Sequence, residues 1–328
     1  MKTDSNQNRF GWIDWMKAIG MYFIVLGHFF TTGFVYVYVF SVPLFFLISG
    51  FLCKREENIA LFWKKIWYNL VVPMLFLSIL GFLYKCLRWP EDNPIEIQNI
   101  CKFVVGLFVG MQGALGTCWF VYSLIVIKIL YQYSPNIGCN IAYACLCLIG
   151  AYLYNNLPSP DFPYMDYANS IVNVGTAYPF FIIGNFLRKY MGVIEEFNNK
   201  LYLFAVQFIG IVVIYLCGEY NSYVWMYLCG YGSNILLFLL GGVAGTVSVF
   251  ALSKLLGKCP RCVELLSIGT ILILGIHGKM IDEIRVWATP STLDFLYAAL
   301  ILLLFIPLTK FAINYFPVLL GMMRVKNY

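Results

Sequence analysis

Apolar runs of about 20 residues, parted by short polar stretches, recur from one end of the chain to the other. A helix of that length crosses about 30 Å of hydrocarbon. The pattern predicts an all-α membrane protein with about ten transmembrane helices in one bundle. They are expected near residues 12–31, 34–53, 66–84, 117–132, 138–154, 170–187, 200–217, 233–256, 267–281 and 293–316. The mixed stretch 86–116 predicts an interfacial segment. "NNLPSPDFPYMDYANS" (155–170), rich in Pro, Asn, Ser and Asp, predicts a loop. No fixed-period repeat is evident. The polar opening "MKTDSNQNRFG" runs into an apolar stretch without a small-residue cleavage site, so no cleavable signal is expected. With no length left over for a soluble appendage, residues 1–328 are expected to form a single polytopic membrane domain.

Charge adds an orientation. With an even number of spans both ends share a side, and that side carries 17 of the 22 Lys and Arg residues. The other side carries Lys85, Arg88, Lys102, Lys279 and Arg285. Cytoplasmic segments are enriched in Lys and Arg, so both termini are expected in the cytoplasm. The net charge of +6 is then a consequence of topology and does not indicate a nucleic-acid partner. Composition agrees with the class: 61% of residues are hydrophobic and 12% charged, against about 25% charged in soluble domains. The 11 cysteines fall mostly inside apolar runs, where they act as small hydrophobes. The one CxxC, "CPRC" at Cys259–Cys262, lacks the second ligand pair of a four-ligand site, and no metal is expected. Eight Trp, 24 Tyr and 28 Phe suit sugar stacking, membrane interfaces and core packing equally.

One run breaks the apolar pattern. "WIDWMKAIGMYFIVLGHFF" (12–30) carries Asp14, Lys17 and His28, and the whole chain has only two histidines. At about 100° per residue, Lys17 and His28 point within about 20° of each other and Asp14 within about 40° of His28, so all three share a face. His28 lies about 16 Å deeper than Lys17. Charges at such depth are expensive unless they meet a partner or a wet cavity. Lys17 could snorkel to the surface, and Asp14 could simply be its i, i+3 partner. His28 is too deep to snorkel; the open roles are base, proton relay, ligand or a satisfied core histidine. The second histidine, His277 in "ILILGIHGKM", is expected near the extracytoplasmic end of the ninth span, where it could share a cavity with His28.

Several segments together resemble a known family. "IDWMKAIGMYFIVLGH" in the first span is followed by "FSVPLFFLISGFL" (40–52), "FWKKIWYNLVVPML" (62–75), "CWFVYSLIVI" (118–127), "YPFFIIGNFLRK" (178–189) and "IGTILILGIHGKMI" (268–281). In that order, over nearly the whole chain, they resemble the acyltransferase-3 family of integral-membrane O-acyltransferases. The resemblance implies a ten-helix enzyme that moves an acyl group, usually acetyl from acetyl-CoA, to a hydroxyl of a cell-surface sugar or glycan. The expected location is the inner (cytoplasmic) membrane of a bacterium, with membrane lipids and the glycan acceptor as partners.

Carried over by position, Lys17 and His28 match the basic residue and histidine of the first-span motif, and Ser49 and Gly50 match the span-two element. Lys65 matches the first basic residue of an Arg-x-x-Arg-like element, whereas Asn69 stands near where its second Arg is expected. Chemistry fits independently. O-acylation needs a base for the hydroxyl proton, donors for the developing oxyanion and cations for the phosphates of CoA. The expected catalytic residues are therefore His28 with Asp14. Donor contacts are expected from Lys17, Lys65, Lys64, Ser49 and Gly50, and acceptor contacts from His277 and Trp119. A proton-coupled transporter relaying through His28 and Asp14 is the alternative; the inverted repeat common in transporters is not seen.

Overall fold

The computed structural model describes residues 9–29, 33–88, 95–155, 168–287 and 293–322. Most of the predicted 155–170 loop, with Asp161 and Asp166, lies outside the described residues. The described chain is helical but for one short hairpin, β1 (Val224–Trp225) antiparallel to β2 (Gly230–Tyr231). Among the described residues, eight helical segments are long and apolar enough to cross a membrane, or nine if one bent pair counts as a span. The all-α membrane class stands, and the departures from ten even spans have local causes.

The first departure is at the start. Helix α1 (Gly11–Gly27) has 17 residues, about 25 Å of rise, and stops short of the expected residue 31. Gly33 then takes φ +96°, a left-handed conformation that suits a residue without Cβ. The chain reverses there into α2 (Phe34–Tyr38) and α3 (Ser41–Leu52). Contacts of Gly27 with Tyr38, Gly20 with Leu44 and Phe45, and Trp12 with Phe51 show that α3 runs back antiparallel to α1.

The third span is one continuous segment. It comprises α4 (Ile59–Ile66), a π-helical turn (Trp67–Val71) and α5 (Val72–Leu87). The π turn sits just before Pro73, whose missing N–H cannot bond the Asn69 carbonyl. Gly321 packs there instead, its Cβ position 2.5 Å from that carbonyl oxygen. Next come α6 (Ile97–Val109), α7 (Gln112–Leu115), a 3-10 turn (Gly116–Cys118) and α8 (Trp119–Tyr133). With 13 residues, about 20 Å, α6 is too short to cross the hydrocarbon. Helices α9 (Ile137–Asn155), α10 (Asn169–Leu187), α11 (Met191–Glu196), α12 (Lys200–Asn221) and α13 (Ile235–Leu256) follow.

The predicted ninth span, 267–281, is two helices. α14 (Arg261–Ile268) and α15 (Thr270–Trp287) meet at 81°. Gly269 sits at the corner, where a Cβ would collide with the Thr309 hydroxyl of α16 (Asp294–Tyr315). Since α15 continues to Trp287, His277 stands near the middle of its helix. The expectation that it lies at a span end is thereby corrected.

Packing places α1 inside the bundle, against α3, α13, α14, α15 and α16. The α3–α10 crossing is equally close. A Cβ on Gly50 would collide with the Phe181 carbonyl oxygen, and one on Gly184 with that of Leu47. Small residues bring membrane helices together in this way, and the reciprocal pair fixes where α3 crosses α10.

Candidate functional site

The two histidines of the chain meet. His28, which caps the C-terminus of α1, and His277 of α15 hold their rings perpendicular, centroids 4.7 Å apart. Each ring is anchored to its own helix. His28 Nδ1 lies 2.8 Å from the Ile24 carbonyl oxygen, and His277 Nδ1 lies 2.9 Å from that of Ile273. A carbonyl only accepts, so each Nδ1 carries the proton and each neutral ring keeps its lone pair on Nε2. His277 is wholly buried and its Nε2 has no hydrogen-bond partner among the described residues. His28 is half-buried. An unpaired buried acceptor costs about 1–3 kcal/mol, and such a group in a membrane bundle points to function before stability.

Residues around the pair complete the setting. Arg285, two turns beyond His277 on α15, donates to the His28 backbone carbonyl at 2.5 Å. The Tyr38 ring lies 6.3 Å from His28. Leu77 of α5 packs against Gly275, 2.6 Å from its Cβ position, and Thr117 against Gly278. Trp119, buried at the start of α8, is two residues beyond Thr117. The structure thus brings His28, His277 and the segment leading to Trp119 to one level of the bundle.

Asp14 and Lys17 belong to another level. Asp14 is nearly 14 residues of helix, about 21 Å, from His28. It accepts from Arg9 Nε at 2.6 Å and Nη2 at 2.9 Å, and from the Ser267 hydroxyl of α14 at 2.6 Å. The expected ion pair of Asp14 with Lys17 is replaced by this clamp, because the guanidinium reaches both carboxylate oxygens at once. Burial opposes the charge of Arg9, but the Asp14 carboxylate more than offsets it and raises the Arg9 pKa above its ordinary value. Lys17 is half-buried, and no carboxylate lies within ion-pair distance of it among the described residues.

A second cluster occupies the end of the bundle where α3 and α8 end and α4 begins. A cavity of about 150 Å³ there is lined by Lys54, Lys65, Lys128, Glu56, Asn69 and Gln132 among others. Lys65 pairs with Glu56 at 2.5 Å. The neighbouring Lys64 is exposed and outside the lining. Ser49 is half-buried beside Gly50, whose own contacts are those of the α3–α10 crossing. A second cavity, about 210 Å³, is wholly apolar and lies among Trp12, Met16, Phe51 and Phe250. Neither cavity is lined by Lys17 or His28.

Sequence reasoning missed Arg285, Tyr38 and Lys128 as neighbours of these clusters. Arg285 had a signal in its helical spacing from His277. Tyr38 had none, because the reversal at Gly33 brings it back to His28.

Among known families, the acyltransferase-3 model, described as an acyltransferase domain, matches residues 10–258. The matched segment includes His28 and the cavity cluster and ends before His277. Comparison with curated proteins and with solved structures finds no match.

Proposed function

The chain belongs to the acyltransferase-3 family and is a membrane acyltransferase; from that premise we propose that it moves an acetyl group from acetyl-CoA to a hydroxyl of a sugar or cell-envelope glycan, with His28 as general base. The observation that carries the reading is the His28–His277 pair, two imidazoles anchored through Nδ1 with Nε2 left for chemistry.

The step balances on these groups. His28 Nε2 removes the proton of the acceptor hydroxyl as its oxygen attacks the thioester carbonyl carbon. The tetrahedral intermediate collapses, the C–S bond breaks, and the imidazolium returns the proton to the departing CoA sulfur. The products are an O-acetyl ester and CoA thiol. His277, whose Nε2 lies free beside the base, and Trp119 at the same level hold the acceptor. Asp14 contributes from a distance, by clamping α1 to α14 through Arg9 and Ser267.

The donor enters at the end that carries Lys54, Lys64 and Lys65, which we place in the cytoplasm on the Lys and Arg asymmetry, together with both termini. Its phosphates meet Lys65 and the cavity wall, with Lys17 as a further cation on α1. α5 gives the distance to the base. Asn69 lines the cavity, and Leu77, eight residues and about 12 Å further along, packs at Gly275 beside His277. The long, thin pantetheine arm of CoA fits such a span. The acceptor reaches the histidines from the other face, in a bacterial inner membrane, so the acetyl group crosses while CoA stays behind.

The test is purified protein with acetyl-labelled acetyl-CoA and a panel of glycan acceptors. Covalent label in the glycan is the expected result. Movement of a solute without acyl transfer would restore the transporter reading in its place.

A further inference from the structure

Lys128 lies within the apolar helix "WFVYSLIVIKILYQY" of α8. A cation inside such a helix is costly unless it faces a partner or a wet cavity. Its Nζ lies 3.9 Å from Cys53 Sγ, and no carboxylate is within ion-pair distance among the described residues. It faces the cavity that Lys54 and Lys65 also line. The one carboxylate of that wall, Glu56, is held by Lys65. Three ammonium groups against one carboxylate leave the cavity with an excess of two positive charges.

Asn69 stands in the same wall, one turn after Lys65, on the π turn. Its Oδ1 is buried without a hydrogen-bond partner among the described residues. A basic side chain at that position would share the cavity with Lys65, and Lys128 reaches it from α8 on the other side. A volume of about 150 Å³ is too small for a whole nucleotide thioester and suits phosphoryl groups.

We propose that Lys128 binds a phosphate of the acyl-CoA donor, supplying from α8 the second cation that Asn69 does not provide. This rests on the proposed use of acetyl-CoA. Asn69 Oδ1 is left to accept an N–H of the same donor.

The experiment uses the full chain, purified in detergent, with acetyl-CoA as varied substrate. Lys128→Met is expected to raise the KM for acetyl-CoA about tenfold or more, the scale of a charge-assisted hydrogen bond, with kcat within about twofold. Lys128→Arg should keep donor affinity, and adding Asn69→Arg to Lys128→Met should restore most of it, which a purely structural lysine would not allow. If Lys128→Met does not fold, Asn69→Asp tests the same site with a near-isosteric change. A carboxylate there should raise donor KM at least severalfold. An unchanged donor KM in Lys128→Met, or in Asn69→Asp where that variant stands in, overturns the inference while wild-type transfer leaves the acyltransferase reading intact. A wild-type protein that neither binds nor turns over acetyl-CoA removes both.

Discussion

His28 and His277 lie 249 residues apart in sequence and 4.7 Å apart in space, with their rings at 90°. Because both Nδ1 atoms are committed to backbone carbonyls, any proton transfer at this pair must pass through Nε2. His28→Ala is expected to reduce transfer by about 10²–10⁴-fold, the usual worth of a general base, with the protein still monodisperse on gel filtration. A loss below about tenfold would count against the base assignment. His277→Ala should chiefly raise the KM for the acceptor and leave the donor KM in place; a selective effect on the donor would reverse the assigned roles.

Donor binding should follow the cavity more closely than α1. Lys65→Ala removes both a cavity cation and the partner of Glu56, so its donor KM should rise more than that of Lys17→Ala. Both effects should shrink at high salt, because exposed charge pairs are screened over about 10 Å at 0.1 M. Steady-state kinetics at two ionic strengths checks this. Equal donor affinity in both single variants and the double variant would remove the two lysines from the donor site.

Gly50→Ala and Gly184→Ala should act on folding. Each Cβ would collide with a backbone carbonyl oxygen of the facing helix, and overpacking of this kind costs about 1–3 kcal/mol or more. Lower thermal stability in detergent is expected for both. The donor KM of whatever Gly50→Ala protein folds should stay near wild type. A normal melting curve with weakened donor binding would instead support the expected donor contact of Gly50.

The CPRC loop supplies a pH prediction. Burial, reinforced by the nearby Asp14 and Glu264 carboxylates, raises the Cys259 thiol to about 11. A thiol with a raised pKa is neutral below that value, and the thiolate is the reacting form. Alkylation of Cys259, followed by mass spectrometry of its peptide, should therefore be slow at pH 8 and accelerate as pH climbs toward 11. Rapid labelling at pH 8 would contradict the raised pKa of this half-buried thiol, which packs beside Gly11, whose Cβ position is 3.1 Å from Cys259 Cβ.

Sequence by itself determined the solvent and the secondary structure. Apolar runs without water leave the backbone no partner but itself, so helices follow, and the π turn and corner at Gly269 shift boundaries without changing class. It also marked His28, since an imidazole too deep to snorkel stands out against a lipid-compatible run. The partners of such residues were decided only by tertiary structure. Asp14 has Lys17 one turn away in sequence, yet Arg9 and Ser267 hold it, because a bidentate guanidinium and a hydroxyl from α14 satisfy both oxygens better than one flexible ammonium. Whether Gly50 was a ligand contact or a packing surface depended on how close α10 comes, which no pattern within α3 records. Lys128 lies inside the apolar run of α8, and what faces it was set by the α3–α4 junction and the π turn that wall the same cavity. Helical periodicity fixes which face a residue occupies; what stands opposite that face is set by packing between segments far apart in the chain.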